Sequence, residues 1–184
     1  PVSGREVRYG EMSQTETPRN IMVVGGGPGG MKAAVTAAAR GHTVTLYEGS
    51  ARLGGQTLLA QLLPTRTEFG GIVTNLEREM ELTGVTVRKN SLVDEAAIVA
   101  HGPDAVILAT GAEPRWPNFE GRDDAHVVDA WQILRNEVNV GGSVVVADWR
   151  ADWIGIGIAE KLAEEGCRVR LAINGYMPGQ TIQM

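Results

Sequence analysis

A chain of 184 residues, 43% of them hydrophobic and 21% charged, is long enough to bury a core and suits one α/β domain or two incomplete ones. Its 17 basic and 22 acidic residues give a net charge of −5 without a basic cluster, which argues against a nucleic acid or an acidic membrane surface as a partner. No apolar run reaches the length of about 18 residues that a membrane span needs, and the start of the chain lacks the apolar core of a signal peptide, so we expect a cytoplasmic protein.

The start of the chain is polar and shows no apolar periodicity, so we predict that residues 1–20 form an extended arm or linker. The fold is expected to begin at Ile21. Residues 21–24 are typical of a short apolar strand, residues 28–40 of an Ala-rich helix, and residues 44–48 of a second strand. This stretch is therefore predicted to be a βαβ unit with a glycine turn after its first strand.

The glycines of this turn follow the spacing G-x-G-x-x-G. Gly25 permits a tight turn, Gly27 lacks the Cβ that would keep a pyrophosphate from the backbone, and Gly30 lets the helix lie close to the strand. The helix begins with unpaired N–H groups and a partial positive charge, and Pro28 suits its first turn. The pattern predicts a site for the ADP half of a dinucleotide; the alternative is a set of packing glycines without a ligand.

Glu48 ends the second strand, eighteen positions past Gly30, where a carboxylate can accept hydrogen bonds from both hydroxyls of an adenosine ribose. The same carboxylate would repel a 2′-phosphate, which favours FAD, NAD or ADP over NADP. In the loop that follows, Gly54 and Gly55 again allow a close approach of backbone to ligand, although a plain turn explains them as well.

Further along, residues 67–83 have apolar positions at helical spacing and predict an amphipathic helix that ends at Gly84. Residues 85–88 are typical of a strand. Residues 104–109 form a continuous apolar run, which predicts a strand buried on both faces of a parallel sheet. This strand leads into Thr110-Gly111, at the sheet edge where open α/β folds bind ligands.

Pro114 and Pro117 then break the pattern, and a charged connection over residues 120–124 follows. We predict an arm at 1–20, the first segment of an FAD- or ADP-binding domain at 21–115, and the first part of a degenerate NAD(P)-binding-like domain at 125–184. The second domain is predicted to contain a short helix, a buried strand, a longer helix and a further strand, over residues 129–136, 143–147, 153–165 and 168–173.

The turn of this second βαβ unit, residues 148–153, has two aspartates and two tryptophans where the first unit has glycines. The aspartates would repel a pyrophosphate and the tryptophans would block it. Gly155 and Gly157 are expected to come too late, inside the helix, and Asn174 rather than an acid follows the last strand. We therefore predict a structural unit, with a working NAD(P) site as the alternative.

Cys167 is the single cysteine, which excludes an internal disulfide, a Cys-x-x-Cys redox pair and a self-contained iron–sulfur or zinc site. His42 is predicted to open a strand, whereas His101 and His126 are predicted to lie in loops. None of the three has an acid, a nucleophile or a metal-ligand set near it in sequence. We therefore predict no catalytic residue and no metal ligand in this chain.

Six short motifs together carry a resemblance to a known family. They resemble the carboxy-terminal, dinucleotide-binding half of the 2,4-dienoyl-CoA reductase and trimethylamine dehydrogenase family of NADH:flavin oxidoreductases. The similarity extends over nearly the whole chain, and the combination of motifs is much more specific than the glycine pattern alone. The motifs are residues 25–30, 41–46, 53–56, 64–69, 83–87 and 108–111.

The resemblance implies that this chain is a piece of a longer oxidoreductase. In that family a TIM barrel with FMN and a four-iron cluster precedes two dinucleotide folds, so the barrel domain would be a partner outside this chain. The first fold holds FAD in the reductases and ADP in the amine dehydrogenases, and the second holds NADPH in the reductases. The returning part of the first fold would also lie outside this chain.

By this resemblance, the degenerate turn at residues 148–153 is more similar to the dehydrogenase branch, in which electrons leave to a separate carrier protein. The predicted fold class is α/β, a Rossmann-type three-layer dinucleotide-binding fold with a second, partial βαβ unit. The candidate residues for the adenine dinucleotide are Gly25, Gly26, Gly27, Pro28, Gly29, Gly30, Glu48, Gly49, Gly55, Gln56, Val93, Ala109, Thr110 and Gly111.

The function predicted from sequence is an FAD- or ADP-binding module of a multi-domain flavin oxidoreductase, namely an amine dehydrogenase or demethylase that passes electrons to a carrier protein. An NAD(P)H-dependent enoyl reductase of the same family is one alternative. A nucleotide-binding module that serves only structure or partner docking is the other.

Overall fold

The protein is described here by a computed structural model that covers residues 4, 5, 7, 10, 12–123 and 126–182. These residues form two compact units. The first contains the described residues up to Leu58 together with Phe69–Ala112, and the second contains Leu59–Glu68 together with the described residues from Glu113 onward. The predicted domain bounds differ from these units, because residues 59–68 belong to the second unit and because the first unit ends at Ala112 and not at residue 115. Asp124, in the predicted charged connection, lies outside the described residues.

A parallel four-stranded sheet is the centre of the first unit. Its strand order is β3-β2-β1-β4, so the chain starts in the middle of the sheet and moves to one side before it crosses to the other. The strands are β1 (Asn20–Val24), β2 (Thr43–Tyr47), β3 (Thr86–Arg88) and β4 (Ala105–Leu108). Because all four run in the same direction, their carboxyl ends share one edge of the sheet, and the glycine turn lies at that edge.

The helices of the first unit are α1 (Pro28–Ala39), the start of α2 (Thr57–Ala60), α3 (Phe69–Thr83) and α4 (Glu95–His101). α1 packs against β1, β2 and α3. The small side chains of its Ala-rich sequence permit a close approach to the sheet, and α3 buries Val73, Leu76 and Met80 at helical spacing. The core consists of these three residues with Ile21, Val23, Met31, Ala34, Val35, Val44, Leu46 and Leu53.

β4 differs from the prediction for residues 104–109. Its residues are only half-buried, and Leu108 is 72% exposed. The continuous apolar run predicted a strand covered on both faces, but within the described residues β4 pairs only with β1 and forms an edge of the sheet. Apolar content alone does not distinguish a central strand from an edge strand, and the expectation of burial on both faces was wrong.

α4 is a helix that the sequence reading missed. Asp94 accepts a hydrogen bond from the Ala97 N–H at its start, and Gly102 ends it in the left-handed conformation with φ +60°. His101 is therefore the last residue of a helix and does not lie in a loop. Its Nδ1 is 3.2 Å from the Tyr47 hydroxyl. No helix in the described part of the chain is both long and apolar enough to cross a bilayer.

The second unit contains the parallel strands β5 (Ser143–Asp148) and β6 (Arg168–Ile173) with α5 (Ala130–Leu134) and α6 (Trp153–Glu164). Its core consists of Leu63, Ile133, Leu134, Ile158 and Leu162. Exposure alternates along both strands, and Val145 is 61% exposed, so the prediction of a fully buried strand at 143–147 was wrong. Alternation is the pattern of strands that are covered on one face.

Candidate nucleotide-binding site

The turn after β1 is as tight as the glycine spacing predicts. Gly25 adopts φ +112°, a conformation that favours glycine, and its N–H donates to the Tyr47 carbonyl at 2.8 Å. A Cβ built on Gly25 would be 2.2 Å from the Ala109 carbonyl oxygen. This residue must therefore be glycine, because the ends of β1 and β4 meet at this point without space for a side chain.

Gly30 and Gly27 differ in the space that surrounds them. A Cβ on Gly30 would be 2.0 Å from the Gly25 carbonyl oxygen, so only glycine lets α1 lie this close to the turn. A Cβ on Gly27 would meet nothing within 4 Å, and at φ −72° this residue could carry a side chain without strain. The space beside Gly27 is therefore open at the start of α1, where the prediction places the pyrophosphate.

The N-terminus of α1 also differs from the starts of α4, α5 and α6. Gly27 provides no side chain to cap it, and within the described residues no side-chain cap is present. In contrast, Asp94, Asp129 and Asp152 each accept backbone N–H hydrogen bonds at the starts of α4, α5 and α6. An uncapped helix start next to open space is suited to an anionic ligand, which would accept hydrogen bonds from its N–H groups.

Glu48 lies directly beyond β2 and points back to the glycine turn. Its Oε2 accepts a hydrogen bond from the Gly26 N–H at 2.7 Å, and its Oε1 accepts one from the Ser50 N–H at 2.7 Å. Partial burial acts to raise the pKa of this carboxyl, but hydrogen bonds from Ser50 and Gly26 outweigh it and lower the pKa. The side chain is therefore fixed and ionised, and a carboxylate has enough lone pairs to accept further hydrogen bonds from ribose hydroxyls.

Gly26 has a packing role that the sequence analysis did not identify. A Cβ at this position would be 2.5 Å from Leu53 Cδ2 and 2.9 Å from Glu48 Oε2. A side chain at position 26 would therefore require the Leu53 side chain and the Glu48 carboxylate to shift away from the turn. Ser50, which orients Glu48 through its N–H, was also missed; its only signal in the sequence is its position two residues after the acid.

The glycine loop after Glu48 lies against the glycine turn. The Gly54 N–H donates to the Gly26 carbonyl at 2.8 Å, and a Cβ on Gly55 would be 3.1 Å from Gly27 Cα. Gln56 reaches the segment that follows β4, where its Nε2 donates to the Ala112 carbonyl at 3.0 Å. The loop therefore lies directly beside the glycine turn, and its contact with a ligand stays a prediction.

The remaining candidates lie on loops attached to the same edge of the sheet. Thr110 and Gly111 are exposed directly after β4, and a Cβ on Gly111 would be 3.7 Å from Gln56 Nε2. A Cβ on Gly49 would be 2.8 Å from Leu92 Cδ2. Val93 is half-buried in that same loop, which the Ser91 N–H ties to the Glu48 carbonyl at 2.9 Å. Contact of these residues with a nucleotide stays a prediction.

The turn of the second unit corrects one expectation from sequence. Gly155 is the third residue of α6, as Gly30 is the third residue of α1, so it does not come too late to belong to the turn. A Cβ on Gly155 would be 2.3 Å from Asp148 Oδ2. Trp149 is 49% exposed and lies 5.5 Å from Phe119 between ring centroids. The absence of NAD(P) binding at this turn stays a prediction.

In the ranges that the structure describes, no three or more His, Cys, Asp or Glu side chains form a group that could hold a metal ion. The site is therefore characterised by backbone N–H groups, one carboxylate and open space beside Gly27. Chemically, this arrangement can bind and orient the phosphates and the ribose of a nucleotide.

Comparisons with known proteins give the same fold and a family. Residues 19–171 match the model of the pyridine nucleotide-disulphide oxidoreductase family. The chain is 40% identical over 173 residues to an "NADH oxidase" of Thermoanaerobacter brockii, which covers 93% of this chain and 27% of that protein. It is 37% identical over 179 residues to an "N,N-dimethylglycine/sarcosine dehydrogenase" of Chromohalobacter salexigens, with 94% of this chain and 26% of that protein covered.

Among solved structures, the 6-hydroxypseudooxynicotine amine oxidase of Pseudomonas geniculata N1 superposes with a TM-score of 0.89 at 28% identity, over 97% of this chain and 29% of that one. The chain thus spans about a quarter of the length of the relatives it matches. These matches confirm the resemblance to the dinucleotide-binding part of the reductase and amine dehydrogenase family, and they confirm the α/β Rossmann-type fold. The chain therefore belongs to the pyridine nucleotide-disulphide oxidoreductase family, whose domain is part of redox enzymes.

Proposed function

We propose that the first unit binds the ADP part of FAD, or ADP itself, within a flavin-dependent oxidoreductase. The observation that carries the proposal is the pairing of an uncapped helix start at Gly27 with the fixed carboxylate of Glu48. The helix start is suited to the pyrophosphate and the carboxylate to the ribose hydroxyls. Both lie on the edge of the parallel sheet where the strands end.

The residues of this chain fit such a group by a direct geometric criterion. The open direction at Gly27 is a cradle that a Cβ would fill, whereas Cβ atoms on Gly25, Gly26 and Gly30 would meet protein atoms at 2.2, 2.5 and 2.0 Å. Bound FAD would supply the ability to accept electrons from a substrate or donor. The residues of this chain would bind and orient its ADP part, with Gly54, Gly55 and Gln56 as one wall of the site.

For the longer protein that the resemblance implies, called the parent here, we propose oxidation of a secondary or tertiary amine with electron transfer to a carrier protein. The relative named as a dimethylglycine/sarcosine dehydrogenase supports this proposal. The barrel domain, FMN and the four-iron cluster are expected in parts of the parent other than this chain. A location in the cytoplasm also stays an expectation.

Calorimetric titration with ADP tests the nucleotide site. Gly27→Val should abolish binding without unfolding the protein, because its side chain would project into the space beside the helix start and not into protein. Gly71→Val is the matched control, since a Cβ on Gly71, in α3, also meets nothing within 4 Å. Equal ADP affinities for the wild type and Gly27→Val would contradict the proposal.

A second candidate is an NAD(P)H-dependent enoyl reductase, and the relative named as an NADH oxidase supports the nicotinamide donor of that candidate. A module that binds a nucleotide only for structure or docking is the non-catalytic candidate. Identification of the bound species distinguishes FAD from ADP as the ligand of the first unit. A yellow protein that releases FAD on denaturation contains flavin, and a colourless protein that releases ADP contains a structural nucleotide.

A further inference from the structure

The turn between β5 and α6 has the geometry of an anion-binding nest. Two successive backbone N–H groups, those of Arg150 and Ala151, point to one atom, Asp148 Oδ1, at 2.9 Å each. Ala151 is fully buried with φ +51°, and its carbonyl accepts a hydrogen bond from the Thr181 N–H at 3.2 Å. Consecutive N–H groups in such a turn converge where an anion is stabilised. In nucleotide-binding folds the strand-to-helix turn holds phosphate in this way.

The Asp148 carboxylate fills the space in front of this nest. Asp148 is only 8% exposed, and its Oδ2 is buried without a hydrogen-bond partner among the described residues. The carboxylate lies against Gly155, where a Cβ would be 2.3 Å from Oδ2. Gly30, at the same position of α1, brings its helix close to the turn backbone. In the second unit, the equivalent glycine makes room for a carboxylate instead.

A second carboxylate satisfies the start of α6. Asp152 Oδ1 accepts a hydrogen bond from the Ile154 N–H at 2.9 Å, and its Oδ2 is 2.8 Å from Arg150 Nε. The helix start is therefore capped from within the chain, unlike that of α1. Both groups that would hold a phosphate, the nest and the helix start, have an internal acceptor.

We propose that Asp148 is an internal ligand whose carboxylate takes the place of a phosphate oxygen in a latent anion site of the second unit. The site retains its N–H groups and its glycine, and the protein's own side chain keeps phosphorylated ligands out. Asp148 is thus the residue that decides specificity at this turn. The proposal concerns the second unit alone and does not depend on which nucleotide the first unit binds.

Removal of the Asp148 side chain, followed by addition of an anion to the solution, tests this proposal. Asp148→Gly removes the carboxylate but leaves the N–H groups and the space, so its thermal midpoint should fall by about 5 °C. Added sodium acetate or sodium phosphate should then raise that midpoint and saturate, as expected for a ligand of the folded state. Sodium chloride at equal ionic strength is the salt control.

Asp94→Gly is the matched control variant. Asp94 also accepts a backbone N–H, at 2.8 Å, but it is exposed and encloses no space. Both anions should raise the midpoint of Asp148→Gly by more than they raise that of this variant or of the wild type, since all three proteins share the open start of α1. The proposal would be overturned if acetate and phosphate, at all concentrations, shifted the midpoint of Asp148→Gly by no more than they shift the midpoints of these controls.

Asp148→Asn keeps the test valid if the glycine variant does not fold. The amide has the shape of the carboxylate without its charge, so the nest would hold a neutral acceptor, and hydrogen bonds to charged groups are the stronger ones. We expect a midpoint below that of the wild type. A midpoint equal to or above that of the wild type would overturn the role of Asp148 as an anion.

Discussion

Gly30 lies directly over Gly25: a Cβ on Gly30 would be 2.0 Å from the Gly25 carbonyl oxygen. Because the neighbouring atom belongs to the backbone, Gly30→Ala forces α1 away from the turn and should lower the free energy of unfolding by about 1–3 kcal/mol. Gly29→Ala is the adjacent control, since a Cβ there meets nothing within 4 Å. Because alanine is favoured over glycine in a helix, this substitution should raise the free energy of unfolding by about 0.4–1 kcal/mol. Urea unfolding of both variants measures the two effects. Equal stabilities would mean that α1 is not held at this distance.

Glu48 should determine the preference for an unphosphorylated ribose. Its carboxylate is fixed by the Gly26 and Ser50 N–H groups, so a 2′-phosphate would meet a charge that cannot move away. Glu48→Ala should weaken ADP binding by about 1–3 kcal/mol and narrow the advantage of ADP over 2′-phospho-ADP. The ratio of the two dissociation constants is the appropriate measurement, because general damage to the site affects both ligands. An unchanged ratio would show that the acid does not contact the ribose.

The same carboxylate should make stability depend on pH. Its pKa in the folded protein lies below the ordinary value of 4.5, so the ionised form stabilises the fold above pH 4.5. This contribution is lost as the pH falls through the lowered pKa, where the folded carboxylate takes up a proton. The difference in unfolding free energy between the wild type and Glu48→Gln should therefore be constant above pH 4.5 and shrink below it.

Glu68→Gln, at an exposed position, is the control for that titration. Chemical denaturation across the acid range gives the difference for each variant. A difference between the wild type and Glu48→Gln that stays constant down to the lowest pH at which the protein folds would show that the hydrogen bonds from Ser50 and Gly26 do not depend on the charge.

The first unit was predictable because its signals are local. Gly30 answers a steric requirement that Gly25 sets within the same turn, and Glu48 follows at the end of the next strand. The Ala109 carbonyl, which requires glycine at position 25, lies far along the chain and has no local signal. α4 was missed because its seven residues show no amphipathic period, although Asp94 before it and Gly102 after it are ordinary cap signals. A helix this short is more readily identified by its caps than by its periodicity.

Long-range features were not predictable in the same way. Nothing in residues 59–68 indicates that they belong with the second unit, since the contact partners of Leu63 are Ile133, Leu134 and other residues far along the chain. The sequence drew attention to Asp148 as a charged residue in the second strand-to-helix turn. It could not show that the carboxylate turns inward to the Arg150 and Ala151 N–H groups, because side-chain direction depends on the space that Gly155 leaves.

The second unit should not bind NADH or NADPH in a way that lets either nucleotide reduce the flavin, even in the parent. Asp148 and Asp152 are only 8% and 7% exposed. Their carboxylates lie at the turn and at the helix start that would hold the two phosphates. A pyrophosphate would have to displace both acids or bear their charge at close range, and unpaired like charges in a partly dehydrated site cost several kcal/mol. The exposed Trp149 ring adds bulk at the same turn.

Anaerobic titration of the flavin-loaded parent with NADPH, and separately with NADH, measures this directly through the flavin absorbance. We expect the flavin to stay oxidised with either donor, while dithionite, as the control, bleaches it fully. Rapid stoichiometric bleaching by NADPH would contradict the amine dehydrogenase proposal and favour the enoyl reductase. If bleaching occurred, the same titration with Asp148→Asn would locate the donor, because only a nucleotide bound at the second turn would respond to that change.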